Sequence, residues 1–161
     1  MHPQLQSIFD EAENRYLKPE ELGTVSQYVE SLPSRLETYR KMRDSELSVM
    51  QQVADQLQVE LPNEKVEHLE RSIKNALLVL RYCAMGMLLN DEDFVKSRLL
   101  SWLQENVKAY NSQTIDSALY RLLNQGLNQT FSPQQMALLN PMLSLAQDAL
   151  LGQPTISSIG W

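Results

Sequence analysis

The chain has 161 residues, 43% of them apolar and 21% charged, with seven prolines, five glycines and one cysteine. That composition excludes a disordered, collagen-like or disulfide-framed protein and suits one helical core, which at this size buries roughly 70% of the unfolded surface without help from a metal. Acidic residues outnumber basic ones by 20 to 14, giving a formal charge of −6 with no basic excess for phosphates, so nucleic acid is not expected as a partner.

Apolar residues recur every three or four positions and no stretch alternates long enough for a strand, so the chain reads as all-α. A first helix is expected over 4–15. Lys18-Pro19-Glu20-Glu21 then starts a second over 19–31, with Pro in the first turn and two acids where the macrodipole favours them. Ser34 and Glu37, after Pro33, read as a capping box opening a third helix over 34–44, followed by a fourth over 45–58. Val66, Leu69, Ile73, Leu77, Leu80, Cys83, Ala84 and Met87 form a stripe over 64–89 that widens toward its end and belongs in the middle of the core. Its apolar run from Ala76 to Leu89 is shorter than the ~20 residues of a bilayer span and carries Arg81, so no membrane insertion is expected.

Asn90 and Asp91 separate that helix from one over 91–111, striped by Val95, Leu99, Trp102, Leu103, Val107 and Tyr110. Ile115, Ala118, Leu119, Leu122, Leu123, Gly126 and Leu127 mark a helix over 115–129. Ser132-Pro133 with Gln135 opens the last over 133–151, where Pro141 is expected to kink or break it. Residues 1–152 thus read as one domain and 153–161 as a mobile tail unless a partner holds it, with Ile156, Ile159 and Trp161 as docking side chains.

The residues offer little chemistry. His2 sits at an end expected to fray, and His68 lies in the charged run Glu64-Lys65-Val66-Glu67-His68, so neither is placed as a base or a metal ligand. Cys83 is either a reactive thiol or, as is usual on an apolar helix, a buried small hydrophobe. Asp91-Glu92-Asp93 reads as a solvated helix start rather than a cation site, and Met85, Met87, Met136 and Met142 as core rather than a pliable groove. No catalytic residue and no metal site is assigned, and no enzyme activity is expected. The opening Met1-His2-Pro3-Gln4 has neither the basic start nor the apolar stretch of a secretory signal, which points to the cytoplasm.

Several strings resemble, in order, the phycobiliprotein subunits of the phycobilisome, allophycocyanin above all. Glu11-Ala12-Glu13-Asn14-Arg15-Tyr16-Leu17-Lys18-Pro19-Glu20-Glu21-Leu22 is similar to that family's acid, alanine and Arg-Tyr-Leu-x-Pro-x-Glu-Leu. Leu80-Arg81, then Gly86 and Asp91, resembles its central helix and following turn, and Ala109-Tyr110-Asn111-Ser112 the close of the next helix. The resemblance covers about residues 4 to 151. It implies a globin-like fold of six core helices preceded by a two-helix hairpin, here residues 4–31, that embraces a second subunit. An acid on the hairpin meets the central arginine across that interface, which assigns Glu11, Arg15, Tyr16 and Arg81 to it and implies a homodimer or a heterodimer with another such subunit. Location at most peripheral to the thylakoid membrane follows from the same likeness.

Departures from the family pattern fall on the pigment site. Ser72 stands where the family's chromophore cysteine would be and cannot form the thioether to a bilin. Lys74 and Asn75 stand where an arginine and an aspartate hold the propionate and the pyrrole nitrogens, so a charged acceptor is lost. The segment from Leu57 to Ser72 is also shorter than the family's. The expectation is therefore a protein without chromophore that acts on other proteins, as an accessory or regulatory factor of the phycobilisome or photosynthetic apparatus. The alternatives are non-covalent binding of a bilin or another tetrapyrrole through Lys74 and Asn75, or a globin-like sensor; a bilin lyase is the least favoured.

Overall fold

The computed structural model describes residues 2–100 and 103–152. Among them are seven α-helices and no strand: α1 (Pro3–Glu11), α2 (Pro19–Glu60), α3 (Val66–Leu89), α4 (Glu92–Leu100), α5 (Leu103–Tyr110), α6 (Gln113–Thr130) and α7 (Pro133–Leu151). The tail expected beyond Gly152, with Ile156, Ile159 and Trp161, lies outside the described residues, as does Trp102.

The expected central helix is in place. Leu69, Ala76, Val79, Leu80, Cys83, Ala84 and Met87 of α3 are all buried, and α3 packs against α2, α4, α6 and α7. Among the described residues it is the one helix long and apolar enough by composition to cross a membrane, although nine of its residues are buried against the rest of the chain. Cys83 is fully buried, its thiol donates to the Met142 carbonyl at 3.5 Å, and burial pushes its pKa up to about 12. The thiol stays protonated at neutral pH and behaves as a hydrophobe.

Three expected helices, over 19–31, 34–44 and 45–58, are one helix of 42 residues. Pro33 removes the hydrogen bond to the Val29 carbonyl, yet Val29 and Pro33 are both exposed, a place where the freed carbonyl can be hydrated, and the helix runs on. Ser34 is consequently no cap; its carbonyl accepts from the Thr38 hydroxyl at 2.8 Å inside the helix. Pro141 behaves likewise in α7, where the residue four back, Ala137, is exposed. Ser132 does cap α7 as expected, exchanging hydrogen bonds with Gln135 at 3.1 and 2.9 Å. The expected helix over 91–111 is described as two pieces, α4 and α5.

α1 ends earlier than expected, at Glu11, and relaxes into a 3₁₀ turn over Ala12–Asn14. It folds back along the start of α2, so the hairpin exists, with a second arm that continues into the core instead of ending at residue 31. His2 does not fray. It is 5% exposed, edge-on to Tyr28 and bonded to Asn90.

Candidate functional site

Positions 72 to 75 lie on the second and third turns of α3. Successive side chains there rotate by about 100°, so Ser72 and Asn75 share a side while Lys74 points almost opposite to Ser72. Lys74 is accordingly exposed, whereas Ser72 is buried and Asn75 half-buried. Each inward polar group has a partner within the chain. Asn75 Nδ2 donates to Asn106 Oδ1 on α5 at 3.4 Å, and the Arg71 guanidinium lies 3.8 Å from the centre of the Tyr110 ring. Ser72 faces Asp116 in the first turn of α6, whose carboxylate accepts from the Ser112 hydroxyl at 2.7 Å. None of the four surface concavities described is lined by Ser72, Lys74 or Asn75.

Asp116 was not singled out by the sequence. Spaced four residues from Ser112, it has the look of an ordinary helix start, and its burial is set by the tertiary packing of α6. It is 5% exposed, and burial raises its pKa against the two serine hydroxyls that lower it. Because the folded pKa lies above the ordinary carboxylate value, this group favours the fold most at low pH, and that contribution is lost as pH rises through the folded pKa. Replacing it by asparagine keeps one acceptor and adds a donor for the serines. Asp116→Asn is therefore expected to stabilise the protein at pH 7 by on the order of 1 kcal/mol, about 2–4 °C, and to change nothing in acid. Melting curves at the two pH values check this; a destabilised variant at pH 7 would mean the charge is needed.

On the hairpin, the Arg15 guanidinium grips Glu21 through both oxygens, at 2.7 and 3.2 Å. Glu21 also accepts from the Lys18 N–H at 2.8 Å, and these two donors hold its carboxyl at about 2. Arg15 thereby ties the turn to the first turn of α2, and it donates to the Tyr16 carbonyl as well. Tyr16 itself is 98% exposed, and Glu11 is exposed at the end of α1. Arg81 lies further off on α3, paired with Glu46 of α2 at 2.9 and 3.2 Å. The structure thus gathers Arg15 and Tyr16 in one turn with Glu11 nearby, and gives Arg81 an acid of its own chain. Among the described residues, His68 is set at 3.9 Å from Glu64 in the first turn of α3.

An all-helical chain with an N-terminal hairpin, a buried central helix and the arginine of that helix on the outside defines the globin-like phycobiliprotein class of fold. The phycobilisome protein family model matches residues 9–150, and the chain belongs to that family. A search of curated proteins gives no match. The family is one of light-harvesting proteins rather than enzymes, and its members assemble into oligomers with other subunits. This chain carries its single cysteine at Cys83, buried in the core, and a serine at position 72.

Proposed function

We propose that this protein is a member of the phycobilisome family that carries no bilin and works by binding another protein of that assembly, as an accessory or regulatory subunit. The observation that carries the reading is a line of exposed apolar side chains on the outer side of the hairpin and α2. Leu22, Val29, Leu36 and Leu47 are 53, 54, 40 and 80% exposed. Spacings of seven and eleven residues keep them within about 40° of one another around the helix. Phe9 and Tyr16 add further exposed apolar area on the hairpin. These side chains stand about 10 to 17 Å apart along one side of α2, with Arg43 between Leu36 and Leu47, and an aligned series of exposed apolar groups supports a protein contact. The internal partners of Ser72, Asn75 and Arg71 support the absence of pigment, since a bilin would have to displace all three contacts.

The test is capture of phycobilisome subunits by the tagged protein, with Val29→Glu/Leu36→Glu as the comparison. Two charges in a desolvated contact are expected to reduce capture at least about tenfold while far-ultraviolet circular dichroism stays unchanged, because both positions point to solvent. Equal capture by the variant would sink the reading. Protein made alongside bilin synthesis is expected to be colourless.

A further inference from the structure

His2 is the point where α1, α2 and the end of α3 meet. Its ring stands edge-on to Tyr28, 4.9 Å between centres at 83°, and its Nε2 lies 2.9 Å from Asn90 Nδ2. Tyr28 and Arg35 of α2 complete the cluster by donating to the last carbonyls of α3, Leu88 at 2.9 Å and Met87 at 2.6 Å. Asn90 holds the left-handed conformation that ends α3. Among the described residues, His2 Nδ1 is the one buried side-chain nitrogen or oxygen without a partner.

A neutral imidazole fits this place and a cation does not. With the Asn90 amide turned so that Oδ1 faces the ring, the neutral imidazole donates from Nε2 and needs no donor partner at Nδ1, whereas the cation carries a second N–H at Nδ1 that no side chain accepts. Leaving such a donor unpaired costs more than the hydrogen bond it replaces would contribute. The surroundings are mixed: Arg35 on α2 repels a ring cation, while the backbone at His2 itself and Asp91 beyond α3 favour it. Burial is the largest influence and Arg35 the next, and together they hold the ring below its ordinary value.

We propose that His2 is an acid-sensitive latch: neutral, it pins α1 against α2 and the end of α3, and protonated, it releases α1. Its consequence for partner binding rests on the docking face argued above; the release itself does not. The undocked ring titrates near 6.5 and the docked ring lower, so docking is complete above about pH 6.5. Below that it weakens by about tenfold per pH unit until the native pKa is reached.

Hydrogen exchange of the full chain, read by mass spectrometry at about pH 7.5 and about pH 5 and corrected for the intrinsic rate, tests the latch. Protection over residues 3–11 is expected to fall by roughly threefold to thirtyfold in acid while α6 and α7 hold theirs. His2→Phe, which keeps the ring against Tyr28 and cannot titrate, is expected to stay protected at both pH values. Unchanged protection in the natural chain, or an equal loss in His2→Phe, overturns the proposal. Should His2→Phe fail to dock at either pH, the ring's own titration by NMR decides: a midpoint under 6.5 supports the latch and one at or above 6.5 overturns it. Partner capture at pH 7.5 is read separately, so its failure would count against the docking face alone.

Discussion

Gly86→Ala is expected to lower the melting temperature by roughly 4–8 °C, a loss of about 2 kcal/mol in a domain of this size. In an isolated helix the same change would gain about 1 kcal/mol, since glycine is a poor helix former. Here the added methyl would collide with Val95 Cγ2 and stand 3.2 Å from Met142 Sδ and 3.3 Å from the Asp91 carbonyl oxygen. The thioether can move aside, but Val95 is fully buried on α4 with a stiff χ1, and the carbonyl belongs to the backbone of the turn. Relief therefore requires α4 to back away from α3. That movement would also loosen α5, which closes over Arg71 and Asn75, so exchange protection of residues 103–110 is expected to drop with the melting temperature. A variant as stable as the natural chain would show that α4 is held by something other than this close approach.

How much of this was readable in the sequence depended on where each interaction closes. α3, α6 and α7 are legible from periodicity because their apolar stripes are local records of burial, and the Ser132–Gln135 box is complete within four residues. The unbroken α2 is not, because the cost of Pro33 depends on whether the Val29 carbonyl meets water or protein, and only the tertiary fold decides that. His2 was read as frayed since proximity to a terminus favours disorder, whereas its partners Tyr28 and Asn90 are 26 and 88 residues away. Ser72 was noticed for what it cannot bind. Its approach to Asp116 joins two helices 44 residues apart and has no local signature. Family resemblance supplied the hairpin and the fold, and it also placed Arg81 at an interface without revealing Glu46.

Arg81→Glu is expected to weaken assembly at least about tenfold while leaving the helices intact. The Arg81–Glu46 pair is a two-pronged contact between α3 and α2, but the side chains are 59 and 19% exposed, and pairs of that kind contribute about 0–1 kcal/mol to a fold. Losing it, even with two carboxylates left facing each other, should cost the monomer no more than a few degrees. Assembly is more sensitive, since the reversal presents an acid to whatever acidic group, Glu11 of a second subunit among them, approaches this face. The pair also makes a control that the single variant lacks. Glu46→Arg/Arg81→Glu restores the contact between α2 and α3 and keeps the reversed sign at position 81. If Arg81 acts as the cation of the interface, sedimentation should show the double variant as weakly associated as Arg81→Glu. If the double variant assembles like the natural chain, the arginine serves to hold Glu46 and brace two helices, and the contact expected between Glu11 and Arg81 does not exist. Raising the salt separates the two cases again: an ion pair at a solvent-lined interface weakens with ionic strength, while a brace inside one chain leaves association unchanged.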